Sequence, residues 1–239
     1  MDLKYTYLLI DLLCIAVPLV ASFHRLSPFY KDWKFYLPAN IAVAAFFLAW
    51  DALFTDMGIW GFNEAYITGI KLYNLPIEEI LFFVCIPYAC TYTYYVISAH
   101  IKIKPTAIPL YVSRILILLL TAIAIINISK LYTSVTFLLL SMLLVFMTVG
   151  RMKIPKNFYP TYLLMLLPFF ISNGLLTGSW LDEPVVWYND NHNLGLRLGT
   201  IPVEDAFYAM LMLLMNISAY EWLKSRAMLF DLRKFKTAE

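Results

Sequence analysis

Seven stretches of this chain are apolar for long enough to cross a bilayer, and that limits the folds open to it. A helix needs about 20 mostly apolar residues, and as few as about 17, to span the hydrocarbon. Residues 5–23, 36–54, 78–98, 107–128, 132–149, 159–177 and 204–223 all qualify. They fill well over half of the 239 residues and leave no stretch able to hold a soluble domain. Composition agrees. Hydrophobic residues make up 62% and charged residues 14%, with a mean hydropathy of +0.72, against about 45–50% and about 25% in soluble domains. The sequence therefore predicts an all-α integral membrane protein of about seven transmembrane helices. It excludes disorder, collagen-like repeats and a disulfide scaffold. A net charge of +2 is too small to suggest nucleic acid. Cys14, Cys85 and Cys90 all lie in apolar runs, so they indicate neither a redox compartment nor a metal.

The first stretch could be mistaken for a secretory signal. Asp2 beside Lys4, and Asp11 within its core, argue against cleavage and favour a true span. Orientation follows from Lys and Arg. The loops after helices one, three and five and the C-terminal tail hold thirteen: Arg25, Lys31, Lys34, Lys102, Lys104, Arg151, Lys153, Lys156, Lys224, Arg226, Arg233, Lys234 and Lys236. The opposite side holds four, Lys4, Lys71, Lys130 and Arg197, while Arg114 lies inside the fourth span near its basic end. The expectation is an inner (plasma) membrane protein with its N-terminus outside and C-terminus in the cytoplasm.

Self-comparison adds an internal repeat. At a shift of 126, residues 63–79 lie over 189–205, with identities at Asn63/Asn189, Gly69/Gly195, Leu72/Leu198, Pro76/Pro202 and Glu78/Glu204. Glu64/Asp190, Lys71/Arg197 and Glu79/Asp205 are close matches. Upstream, at a shift of 122, Asp51 and Thr55 meet Asn173 and Thr177. Apolar helices resemble one another by composition alone, but these matches are mostly polar, Gly and Pro in a loop. The chain divides into a first repeat over 1–105 (helices one to three), a connecting helix over 106–130, and a second repeat over 131–239. A displacement of four spans makes the two pseudo-repeats parallel, related by an axis along the membrane normal. Both Pro-x-Glu-(Glu/Asp) motifs then open a helix on the same, non-cytoplasmic side.

Ionisable groups inside spans are costly and usually functional. Asp11, Asp51 and Asn173 lie in helices one, two and six; Glu78, Glu79, Glu204 and Asp205 lie in the first turns of helices three and seven. Acids at a helix start can simply cap it, and Pro76 and Pro202 suit a helix start as well. Two copies with matching loops favour a functional site. A proton donor must hold its position closely, so side-chain length should be kept where chemistry occurs. That favours the identical pair, Glu78 and Glu204, as acid and base or as equivalent donors, with Glu79 and Asp205 tuning pKa or capping. Neighbours on a helix point about 100° apart, which leaves open which of each pair faces a cleft.

Aromatic residues reach 17%. Trp50, Trp60, Tyr66, Phe82 and Phe83 fall in the first half, and Trp187, Tyr188 and Tyr208 in the second. Most aromatics in membrane proteins are interfacial or lipid-facing, but Phe82 and Tyr208 lie one turn beyond Glu78 and Glu204 on the same face. A carboxylic acid beside π faces is what protonating an alkene and shielding a carbocation require. No nucleotide-binding glycine motif occurs, His24, His100 and His192 are scattered, and Asp51 and Asp56 lack the spacing of Mg²⁺-dependent prenyl transfer. No cofactor and no metal are expected. His192, in the polar Asn189–Asn193 stretch, reads as a loop hydrogen-bonding residue.

Trp50-Asp51, Leu75-Pro76-Ile77-Glu78-Glu79 with Phe82-Phe83, Pro184–Asn189, and Thr200–Asp205 with Phe207-Tyr208 together resemble the membrane-embedded lycopene cyclases. These occur as two small subunits or one fused chain in bacteria, and joined to phytoene synthase in fungi. The chain is similar to the fused bacterial form. The resemblance implies non-redox β-cyclisation of the linear ends of lycopene without a flavin. Together with the residue reading above, Glu78, Glu204, Glu79 and Asp205 are the expected catalytic residues, and Asp51, Asn173, Trp50, Trp60, Asn63, Tyr66, Phe82, Trp187, Tyr188, Asn189, His192 and Tyr208 the expected substrate-binding or supporting ones. Lycopene and membrane lipid are the expected partners, other carotenoid enzymes are candidates, and nucleic acid is not expected. Beside that resemblance, the alternatives are a carotenoid hydratase, a cyclase of prenylated carotenoids, or a membrane protein that binds or transports carotenoids.

Overall fold

A computed structural model describes residues 3–101, 106–150 and 152–236, with backbone alone from residue 230. Asp2, Lys102, Lys104, Arg151 and the expected boundaries at 105 and 239 lie outside the described residues. Seven helices are long and apolar enough to cross a membrane. They are α1 (Thr6–Ala21), α2 (Trp33–Asp56), α3 (Ile77–His100), α4 (Ile108–Ile126), α5 (Leu131–Val149), α6 (Phe158–Leu176) and α7 (Val203–Lys236). Each falls on its expected stretch, with every end but the last within three residues of the expected one. α7 runs well past residue 223, because polar residues end a hydrophobic run without ending a helix. Lys224 there pairs with Asp32 at 2.6 Å, and the Tyr220 hydroxyl donates to the same carboxylate. That ties the α1–α2 connection to α7 at one end of the bundle.

The opposite end carries the repeat. β2 (Lys71–Leu72) pairs with β3 (Leu75–Pro76), and β5 (Arg197–Leu198) pairs with β6 (Ile201–Pro202), in the same antiparallel register. Each hairpin runs straight into a helix. Ile77 N–H donates to the Ile70 carbonyl at 2.9 Å, and Val203 N–H to that of Leu196 at 3.0 Å. An ion pair clasps each loop at equivalent positions, Lys71 with Glu64 and Arg197 with Asp190. Asn193 and then Arg197 hold the Asp190 carboxyl below its usual range.

β1 (Trp60–Phe62) and β4 (Val186–Tyr188) join the halves as an antiparallel pair with Gly61 opposite Trp187. Positions 61 and 187 also correspond at the shift of 126, so the pseudo-twofold axis passes through this pair. A Cβ on Gly61 would stand 2.3 Å from Trp187 Cζ2. We expect Gly61→Ala to lower stability by about 1–3 kcal/mol in detergent melts, and Trp187→Ala in the same chain to restore most of it. An unchanged melt for the single variant would show that the indole moves aside freely.

α1 lies on α3, and α5 on α7, as the repeat requires, while α4 packs on α5. α2 runs along α7 in close contact, locked by Asn40 Nδ2, which donates to both Asn216 Oδ1 and the Phe83 carbonyl. The repeat-equivalent partner of α2 is α6, and it touches α3 only lightly. The bundle is therefore dense on one side of the axis and loose on the other.

Candidate active site

The loose side holds a cavity of about 350 Å³ between α1, α3, α6 and α7. Glu79, Phe82, Ile86, Ala89, Cys90 and Thr93 form its α3 wall, one stripe at helical spacing. At 1.5 Å per residue, the stripe is roughly 20 Å long. Its lower part is apolar. Its upper end is a ring of carboxyls, phenols and an indole: Tyr7, Asp51, Trp60, Glu79, Tyr132, Tyr188, Asp205 and Tyr208.

The two repeats hold their second acid in the same manner. Tyr7 of α1 donates its hydroxyl to Glu79 Oε2 at 2.5 Å, and Tyr132 of α5 donates to Asp205 Oδ1 at 2.5 Å. Asn173 Nδ2 on α6 donates to Asp205 Oδ2 at 2.7 Å, where Asp51 on α2 stands beside Glu79 in the other half. Tyr188 adds a third bond to Asp205 at 3.0 Å. Burial holds the Tyr188 phenol far above its usual range, so it stays an O–H donor. Asp205 thus accepts three hydrogen bonds, whereas Glu79 accepts one, on Oε2, and both residues line the cavity. Tyr208 lies over Trp50, Trp60 and Tyr132 with ring centroids 5.0–6.3 Å apart, and Tyr132 stacks on Tyr188. Hydrogen-bonded carboxyls and π faces thus surround one volume.

The first acid of each pair faces elsewhere. Glu78 Oε1 accepts the Thr68 N–H at 2.7 Å, and Glu204 Oε1 accepts the Leu194 N–H at 2.7 Å and the Thr133 hydroxyl at 2.6 Å. Glu78 and Glu204 are 0% exposed and do not line the cavity; Glu79 (7%) and Asp205 (5%) do. The side-chain-length expectation selected the pair that anchors the loops.

A family model described as lycopene cyclase matches residues 4–97 and 129–223, skipping the stretch that contains α4. The chain belongs to the lycopene cyclase family. Curated relatives include the bifunctional lycopene cyclase/phytoene synthase of Podospora anserina, 36% identical over 115 residues, and that of Pyrenophora tritici-repentis, 30% identical over 112. Each match covers 46% of this chain, and 17% and 18% of those relatives, so the chain spans under a fifth of their length. No solved structure matches it.

Of the other residues expected in this cyclase-family site, Asp51, Trp60, Phe82, Asn173, Tyr188 and Tyr208 line the cavity. The rest do not line it. Trp50 packs between Phe47 and Tyr208. Tyr66 is buried beside Tyr7 in a smaller core. Asn63 accepts the Ala65 N–H and donates to Glu183, and Asn189 does the same for Asn191 N–H and the Gly58 carbonyl. The His192 carbonyl accepts the Tyr132 N–H, which seats that tyrosine. Trp187 covers Gly61 and is 42% exposed. Sequence reasoning missed Tyr7 and Tyr132. They correspond at a shift of 125, one off the loop repeat, inside helices without other polar matches. Asp11 is fully buried one turn beyond Tyr7, both its oxygens without a partner among the described residues.

Proposed function

We propose that this chain is a lycopene β-cyclase, an intramolecular lyase (isomerase) that closes the linear ends of lycopene into β-ionone rings. The observation that carries this reading is the meeting of Glu79, Asp205 and Asp51 with aromatic walls at the head of an apolar slot. Glu79 gives a proton from Oε1 to the terminal double bond, leaving a tertiary cation. The next double bond attacks that cation, the ring carbon–carbon bond forms, and the charge moves to the ring's methyl-bearing carbon. Tyr208, Trp60 and Phe82 present π faces to the cation, an attraction of about 2 kcal/mol or more when desolvated. A carboxylate, Asp205 or Asp51, removes the adjacent ring proton, and exchange through the cluster restores Glu79. Protons balance and no redox equivalent is consumed. Glu78 and Glu204 position the loops that close the outer end.

Expression in a lycopene-accumulating bacterium, followed by pigment chromatography, tests the reaction. Rings of the β type support it. A hydroxylated acyclic product means a hydratase, ε rings correct the deprotonation step, and unchanged lycopene leaves a binding or transport protein. We further propose a plasma-membrane protein with the carboxyl cluster toward the outer face and two repeats joined through α4. Reporter fusions after residues 60, 104, 155 and 190 are expected to read out, in, in, out. A cytoplasmic signal at 60 or 190 would invert that placement.

A further inference from the structure

Two parallel repeats and a substrate with two equivalent ends suggest two cyclisation sites, yet the packing supports one. The cavity between α3 and α6 has a symmetry-related counterpart position between α7 and α2, and that position is filled. Phe47 stacks on both Trp50 and Phe83 there, and all three are buried. At the repeat-equivalent positions on the open side, Ser172 stands for Trp50 (shift 122) and Ala209 for Phe83 (shift 126). Ala89 on the open side likewise matches Met215. At these three positions the residue is small where the cavity lies and large where it does not, while Leu164, Leu166 and Leu167 reverse that order against Ala42, Ala44 and Ala45; Ser172, Ala209 and Ala89 all line the cavity. The acids agree with a single site. Glu79 comes from the first repeat and Asp205 from the second, and both turn into the same volume.

We propose that each chain has one cyclisation site shared by both repeats, kept open by Ala209, Ser172 and Ala89, and that it closes one end of the substrate per visit. This rests on the lycopene reading above. Leu164 and Leu167 line the cavity yet are 49% and 66% exposed on the outer surface of α6. The slot therefore opens sideways beside α6, in the apolar belt that faces lipid. A half-cyclised molecule leaves by that route into the bilayer and returns with its other end.

Two measurements on the full chain test this. In the first, a polyene with saturated ends, which cannot form the cation, is titrated into the protein in lipid nanodiscs. One polyene per chain is expected, and two would overturn the single site. Ala209→Phe, which copies the residue of the filled side, should weaken binding at least tenfold with an unchanged melting temperature; unaltered affinity would overturn the role of Ala209. If that variant does not accumulate, Ser172→Trp narrows the same cavity from α6, with the same expectations. In the second, labelled lycopene turning over in proteoliposomes is chased with excess unlabelled lycopene. Label should collect in the monocyclic product, whereas label passing undiminished into the bicyclic product would overturn one end per visit. Absence of all turnover with one polyene still bound per chain would count against the lycopene reading and leave the single site standing.

Discussion

Glu79→Gln is expected to lower cyclisation of lycopene by about 100- to 10,000-fold, the range that a positioned general acid contributes, at an unchanged protein level in the membrane. Glutamine keeps the size of the side chain, and its carbonyl can still accept the Tyr7 hydroxyl that now reaches Oε2 at 2.5 Å. It has no acidic proton to give. Lycopene should accumulate, with mono- and bicyclic products lost together because both ends use the same donor. Asp205→Asn should lose activity too, for a different reason. Asp205 accepts from Tyr132, Asn173 and Tyr188, and an amide turns one of its two positions into a donor facing donors. Its loss should therefore come with a lower melting temperature, which the Glu79 variant should not show. More than a tenth of wild-type activity in Glu79→Gln would place the proton donor elsewhere, with the buried Asp51 and Asp11 the next carboxyls on that side.

Much of this architecture was legible from residue pattern because membrane spans are written in length and hydropathy, and because duplicated loops keep their polar residues. The hairpins, the helix starts at Ile77 and Val203 and the pairing of Lys71 with Glu64 and Arg197 with Asp190 all lie within the matched 17-residue blocks. The orientation of the acids was not legible. Adjacent residues on a helix differ by about 100°, and identity between repeats marks any shared constraint, structural or chemical. Glu78 and Glu204 are identical because both accept a backbone N–H ten residues upstream, at 2.7 Å in each half, a geometry that fixes side-chain length. Glu79 and Asp205 differ because each repeat brings different partners to one shared cavity. The asymmetry of the packing was hidden for a related reason. Phe83 against Ala209 and Trp50 against Ser172 count as mismatches in a self-comparison, and only the contacts show which side they open.

Glu204→Ala should act on stability, and that sets the two acids of each motif apart. Alanine leaves the Thr133 hydroxyl and the Leu194 N–H without their acceptor at a site that is 0% exposed. A buried donor left unpaired costs about 1–3 kcal/mol, so the loss should reach about 2–4 kcal/mol, or roughly 5–15 °C in the melting temperature of a chain this size. Glu78→Ala orphans only the Thr68 N–H and should cost about half as much. Glutamine at either position keeps a carbonyl acceptor and should recover most of the stability and most of the cyclisation. The decisive comparison is Glu204→Gln beside Glu79→Gln in the same membranes. Loss of rings in the first with an unaltered melt, and their retention in the second, would return the chemistry to the identical pair and make Glu79 the anchor.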